Sequence, residues 1–170
     1  MKLPVVPEQP WYADGLSFSC TQCGNCCTGG PGYVWISDQE LERLGRHLSM
    51  PVEEVVRRFC RKIRGRWSLK ESRRGDLYDC IFLQEIQVGA ERSTGERLLQ
   101  KRRICAIYEV RPLQCRTWPF WEGNLASNQA WTEAARTCPG MDRGRRYSLP
   151  QIVALRDARD WPDRAPGSDS

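Results

Sequence analysis

The sequence predicts an α+β fold in which a helical hairpin, short strands and long cysteine-bearing loops share a small core. Three observations lead there. A capping-box signature at Ser37 and Glu40 precedes leucines at helical spacing, and a second apolar stripe follows Pro51. From Trp67 the texture turns to short β-prone runs separated by polar turns. Finally, nine cysteines are spread over 170 residues of which only 40% are hydrophobic, a modest apolar share for a domain of this length.

Residues 1–15 read as an extended N-terminal arm, because Met1 to Trp11 holds three prolines and no apolar run long enough for a signal peptide. Residues 16–158 read as one domain, and 159–170 as a disordered tail. Gly29, Gly30, Pro31 and Gly32 release the chain from the first cysteine cluster, and Tyr33 to Ile36, β-branched and aromatic, is expected as a strand. The capping box should start a helix over Asp38 to Leu48, with Leu41, Leu44 and Leu48 on one face. Ser49 as a cap, Pro51 in the first turn, and Glu53 and Glu54 at the positive end signal a second helix. Val52, Val55, Val56 and Phe59 supply its stripe, and it is expected to end near Lys62 to Gly65. Cys60 falls on that helix and reads as a small buried hydrophobe.

Further on, strands over Trp67 to Leu69 and Leu77 to Leu83 should bracket a polar turn at Ser72 to Asp76. Glu85 to Val88 and Arg97 to Leu99, around Ser93, Thr94 and Gly95, read as a hairpin without a motif and of low functional weight. Arg111-Pro112 marks a turn, since the residue before proline is biased away from helix, and Leu113 to Arg116 follows as one helical turn. Ser148 and Pro150 open a last helix through about Arg156. No stretch approaches the roughly 18 apolar residues a membrane span needs, so a cytoplasmic protein without a membrane partner is expected.

Chemistry concentrates in the cysteines. Cys20, Cys23, Cys26 and Cys27 form C-x2-C-G-x-C-C, a soft ligand set suited to zinc or iron rather than to magnesium or calcium. Adjacent side chains point apart unless the backbone turns sharply, so Cys26 and Cys27 are not expected to serve one metal ion by default. Cys80 lies in D-C-I-F-L, Cys105 and Cys115 in C-A-I-Y-E-V-R-P-L-Q-C-R-T-W-P-F, and Cys138 in C-P-G. These four elements, in this order, resemble the YkgJ-type cysteine-cluster family of zinc- or iron-chelating domain proteins. The resemblance implies a metal-organised domain with Cys20, Cys23, Cys26, Cys27, Cys80, Cys105, Cys115 and Cys138 as ligands.

Spacing leaves the metal open. Cys20, Cys23 and Cys26 follow the C-x2-C-x2-C run that wraps an iron–sulfur cubane, with Cys138-Pro139 as the distant complement. Equally, C-x2-C followed by Gly24 makes a zinc knuckle. The odd number of cysteines argues against full disulfide pairing. His47, the single histidine, sits late in the first helix, where a cation suits the negative end, and this removes His-based catalytic zinc and Cys-His nucleophiles from consideration. Asp79 and Tyr108 are the polar side chains nearest the motifs, and hydrogen bonding and packing are their simplest roles. Trp118, Pro119, Phe120 and Trp121 read as an apolar shell.

The leading expectation is a metal-binding protein holding zinc or an iron–sulfur centre, with a redox or metal-handling role and an unknown protein partner. An iron–sulfur-dependent oxidoreductase or protein-modifying enzyme is the second class. The third is a nucleic-acid module with structural zinc that uses the basic run Arg57, Arg58, Arg61, Lys62, Arg64, Arg66, Lys70, Arg73 and Arg74. That run reads more simply as a solvated face, so nucleic acid is not the expected partner. Because ligation energy at thiolate sites is also folding energy, a strong chelator is expected to lower the melting temperature, and Cys23→Ser to do the same. A thermal melt unchanged by both refutes the coupling.

Overall fold

The computed structural model describes residues 9–91 and 97–161. The chain opens with strand β1 (Leu16–Phe18), a 3-10 turn at Asn25–Cys27, β2 (Thr28–Gly29) and β3 (Val34–Ile36). Helices α1 (Asp38–Leu48) and α2 (Val52–Phe59) follow, then β4 (Cys60–Ile63), β5 (Arg66–Leu69), β6 (Glu71–Arg74) and β7 (Leu77–Cys80). A long hairpin of β8 (Leu83–Glu91) and β9 (Arg97–Cys105) leads through a 3-10 turn at Tyr108–Val110 to α3 (Leu113–Arg116). The chain finishes with α4 (Glu122–Leu125), α5 (Asn128–Ala135), β10 (Met141–Tyr147) and α6 (Leu149–Asp157). Helices and sheets are thus both present, as the α+β expectation required. No described helix is long and apolar enough to cross a membrane.

Contacts gather the described residues into two compact units, one of residues 9–21 with 117–159, the other of residues 22–91 and 97–116 with 160–161. In the first, β1 pairs antiparallel with β10, and Tyr12, Phe18, Phe120, Leu125, Trp131, Met141 and Ile152 form the core. Its cohesion is aromatic: the Phe120 ring lies 5.9 Å from Trp131 and 4.7 Å from Tyr147, and Trp131 Nε1 donates to Asp142 at 2.8 Å. The expected arm, where described, is a turn that buries Tyr12 in this core and sends Trp11 Nε1 to the Leu125 carbonyl. Helix α6 starts from a Ser148–Gln151 capping box, close to its expected place.

The second unit holds three antiparallel sheets, ordered β2-β7-β6, β3-β5-β4 and β8-β9. Its core collects Ile36, Leu41, Leu44, Val55, Cys60, Leu69, Phe82 and Ile107. Helix α1 has the expected bounds, and both bonds of its Ser37–Glu40 capping box form. Ser49 caps the end of α1 in a left-handed conformation rather than the start of α2, whose first turn follows Pro51 directly. Gly45 lets the hairpin close, because a Cβ there would lie 2.9 Å from the Met50 carbonyl oxygen.

Two expectations fail here for one reason, strand pairing overriding local propensity. Helix α2 stops at Phe59, and Cys60 to Ile63 pairs with β5 across a two-residue turn whose Arg64 and Gly65 both have positive φ, the hairpin type that matches strand twist. Cys60 is buried as expected, but on a strand. The polar segment 72–76 is mostly strand β6, with only Gly75 and Asp76 turning into β7. The 85–99 hairpin is longer than expected, and its turn residues Ser93, Thr94 and Gly95 lie outside the described residues, as does the tail from 162. Strands β1 and β10 and helices α4 and α5 were not anticipated.

Glu40 does more than cap α1. Its carboxylate, 4% exposed, accepts from Ser37 N at 3.0 Å and from Leu113 N at 2.7 Å, and it also pairs with Arg43 and Arg116 at 3.4 Å each. It therefore ties the N-termini of α1 and α3 together. Gln114 completes the anchorage, accepting from Trp35 N at 2.9 Å and donating to the Tyr33 carbonyl at 3.1 Å. Replacing Glu40 by Ala strands several buried donors, at an expected cost of about 3 kcal/mol. Chemical denaturation followed by circular dichroism reads this cost, and a midpoint unchanged from the parent contradicts the assigned role.

Candidate metal centre

The cysteine-rich loop docks through its own backbone. Gly24 is left-handed, with φ 74°, and starts the 3-10 turn in which Cys27 N donates to the Gly24 carbonyl at 3.0 Å. That turn is sharp enough to put Cys26 Sγ and Cys27 Sγ on the same side, 4.0 Å apart. The sharp backbone turn that adjacent cysteines need in order to face one another is thus present. Asn25 Oδ1 accepts from Arg103 Nη2 at 2.8 Å, which fastens the loop to β9.

Strand pairing then delivers the other thiols. Thr28, next to Cys27, pairs with Asp79, next to Cys80, and the Thr28 hydroxyl donates to the Asp79 carboxylate. Asp79 also accepts from Arg74 Nε at 2.6 Å, and this guanidinium together with Thr28 holds its carboxyl below the usual range. Asp79 therefore ties β2 to the β6–β7 hairpin, the bland role the sequence allowed. Cys105 ends β9 opposite Leu83, and Ala106 N donates to the Phe82 carbonyl at 2.9 Å. The β8–β9 hairpin, given little weight from sequence, thus ends in Cys105 and clamps the loop bearing Cys26 and Cys27. Cys115 comes in on α3, which Glu40 and Gln114 hold.

Five thiols, Cys26, Cys27, Cys80, Cys105 and Cys115, lie near enough for their charges to act on one another. Cys27 is pushed far up because its thiol donates to Cys105 and Cys26. Those two are correspondingly lowered to about 7, by the Cys27 thiol first, with the Arg111 cation adding to the effect at both. Burial pushes Cys80 up to about 11 and Cys115 well above its ordinary value. Arg111 is itself fixed, its Nε donating to the Tyr108 carbonyl at 2.8 Å and its guanidinium 3.6 Å above the Tyr108 ring. Tyr108 acts as the platform of the counter-cation.

The other predicted ligands are placed as follows. Cys23 is half-buried just before Gly24. Cys20 is exposed and, with Cys138, belongs to the other unit, where Cys138 Sγ accepts from Trp118 Nε1 at 3.4 Å. Cys60 stands apart, in the core, where burial pushes it up to about 11 and the charge bearing on it is that of Lys70. Among the described residues no group of three or more His, Cys, Asp or Glu side chains closes to metal-holding geometry. The donor chemistry nonetheless fits a thiophilic metal: sulfur donors, a nearby cation to offset their charge, and one S–S separation near the ~3.8 Å edge that a Zn–S distance of about 2.3 Å implies for a tetrahedron. Sequence reasoning missed Gly24–Arg103–Asn25 and the reach of Glu40 to Leu113, since no local pattern signals a partner so far along the chain.

Residues 19–139 match a family model described as "CxxCxxCC: Putative zinc- or iron-chelating domain". An uncharacterised protein of Methanocaldococcus jannaschii, MJ0661, is 28% identical over 109 residues, covering 64% of this chain and 48% of its own. The chain therefore spans about half the length of that curated relative. No solved structure matches.

The docking of the loop makes Gly24 sensitive. A Cβ there would lie 2.8 Å from Leu83 Cδ1 and 3.2 Å from Arg103 Cβ, and φ is positive. Gly24→Ala is expected to cost about 2 kcal/mol and to loosen the loop, whereas Gly30→Ala, with open space around it, is expected to be near neutral. Thermal melts of the two variants make the comparison, and equal melting temperatures remove Gly24 from the docking scheme.

Proposed function

We propose that this chain, which belongs to the CxxCxxCC family of zinc- or iron-chelating domains, holds a single metal ion on thiolates contributed by Cys26, Cys27, Cys105 and their neighbours. The observation that carries this reading is the 4.0 Å separation of the Cys26 and Cys27 sulfurs. Two thiolates on one ion share a tetrahedral edge, whereas a cubane places its cysteines on separate irons, farther apart. Cys80 and Cys115, within the same unit, are the two candidates for the fourth position of the tetrahedron, and Cys20, Cys23 and Cys138 are the remaining cysteines of the matched family stretch. The family match runs from one unit into the other, which supports treating 16–158 as one metal-binding domain. Metal bound there supplies cohesion and a soft, exchangeable centre for metal handling. Arg111 offsets the thiolate charge, Arg103 holds the loop, and Glu40 places Cys115.

The iron–sulfur reading keeps the support of the C-x2-C-x2-C spacing and of Cys138-Pro139. Nucleic-acid binding ranks lower, because cations of the basic run are engaged internally: Arg58 with Glu54 at 3.3 Å, Arg61 with Glu71 at 2.9 Å, Lys70 with the Arg57 carbonyl at 2.7 Å, and Arg74 with Asp79. Anaerobic purification with metal and acid-labile sulfide analysis is the test. About one equivalent of zinc or iron without sulfide is expected, falling severalfold in Cys27→Ser and Cys105→Ser and retained in Cys60→Ala. Stoichiometric labile sulfide with iron replaces the mononuclear reading by a cluster.

A further inference from the structure

The β8 and β9 strands, of nine residues each, are the longest described, yet among the described residues no other strand adds to either edge of their hairpin. Its root is held where Gly24 approaches Leu83 and Arg103. Farther out, Ile86, Val88 and Ile104 share one face, half-buried, and belong to neither apolar core. A two-stranded hairpin is marginal on its own in water, and an unpaired edge is a template for another strand. We infer that the β8 edge is the seam of a two-fold dimer, in which a second copy of this chain pairs its own β8 antiparallel, Gln87 opposite Gln87.

Register decides which main-chain groups are available. Ala106 N donates to the Phe82 carbonyl, and the pairing continues without a slip from Leu83–Cys105 outward. Bonded and non-bonded pairs alternate along an antiparallel ladder, so Gln84, Ile86 and Val88 direct their N–H and C=O groups to β9, while Glu85, Gln87 and Gly89 turn theirs outward. Charge selects the edge and the occupant. Along β9 run three consecutive cations, Lys101, Arg102 and Arg103, a guard that sets like charges side by side if two copies meet there. From Gln84 to Gly89, β8 carries one charge, Glu85, and Lys101 of the same copy pairs with it at 2.8 Å. A two-fold axis at Gln87 sets Glu85 against Gly89 of the second copy and Ile86 against its Val88, so no like charges meet over this stretch and both apolar side chains gain a partner. An axis at Ile86 instead sets Val88 against Gln84, and one at Glu85 opposes two carboxylates.

Sedimentation equilibrium of the full chain tests this, with reductant present so that no intermolecular disulfide mimics the seam. A reversible dimer with a micromolar dissociation constant is expected, because so short a strand pair is a small interface. Gln87→Pro removes an outward donor while sparing the bonds to β9, and should weaken the dimer roughly tenfold or more. Lys101→Pro makes the same change at an outward position of the opposite edge, and should leave the constant within about twofold of the parent. Register is read by Gly89: Gly89→Lys, set against Glu85 of the second copy, should tighten the dimer roughly threefold, and Gly89→Glu should weaken it by a similar factor. A chain that sediments as a monomer well above the micromolar range overturns the inference. So does a dimer that Gln87→Pro leaves intact, that both prolines weaken alike, or that the two Gly89 variants shift in the same direction.

Discussion

The buried carboxylate of Glu40 is the interaction on which the arrangement of the larger unit depends. It satisfies the first turn of α1, the first turn of α3 and the Arg116 guanidinium at once. A buried carboxylate is expensive unless its lone pairs are filled, and here backbone N–H groups and two arginines fill them. The geometry is therefore close to all-or-none. If α3 moves away, Glu40 loses its Leu113 and Arg116 partners, so the position of Cys115 is coupled to the helical hairpin some seventy residues earlier in the chain.

The second constraint is the mutual repulsion of sulfurs. Gathering five thiols would be unfavourable if all ionised together, and the protein meets this in two ways. Cys27 keeps its proton and donates it to its neighbours, and Arg111, braced on Tyr108, supplies a fixed positive charge to Cys26, Cys105 and Cys115. The same features suit the cluster to a cation, which would take over the role of the shared proton as the source of positive charge. Stability and ligand chemistry here draw on the same electrostatics.

What the sequence made legible was local. The Ser37–Glu40 capping box fixed α1 to the residue, Arg111-Pro112 placed α3, and Ser148 placed α6, because caps and prolines act within one turn. The cysteine motifs identified the family, since soft ligands at fixed spacing have few other uses. Long-range pairing was hidden. Cys60 reads as helical from its neighbours and becomes a strand only because β5 offers it a partner. The basic segment 71–74 lacks β-prone residues, yet it pairs with β7 and uses Arg74 to hold Asp79. Nothing within a few residues of Glu40 announces Leu113, and nothing near Asn25 announces Arg103.

Strand pairing also explains why Cys80 and Cys105 sit at strand ends rather than in loops. Side chains alternate across a strand, so a slip of one residue turns Cys80 or Cys105 to the opposite face. Thr28 against Asp79, Glu71 against Cys80 and Leu83 against Cys105 leave each cysteine at a ladder terminus, where register is set but the side chain is not enclosed by further strand. The register is pinned by contacts that a slip would break: the Arg74–Asp79–Thr28 chain on one ladder, and the approach of Gly24 to Leu83 and Arg103 on the other. These two thiols are thereby as precisely placed as the sheets, although the loops that join the strands carry little regular structure of their own. The hairpin without a motif consequently orders the thiol cluster: remove its register and Cys105 turns away from Cys27, however intact the cysteine motif remains.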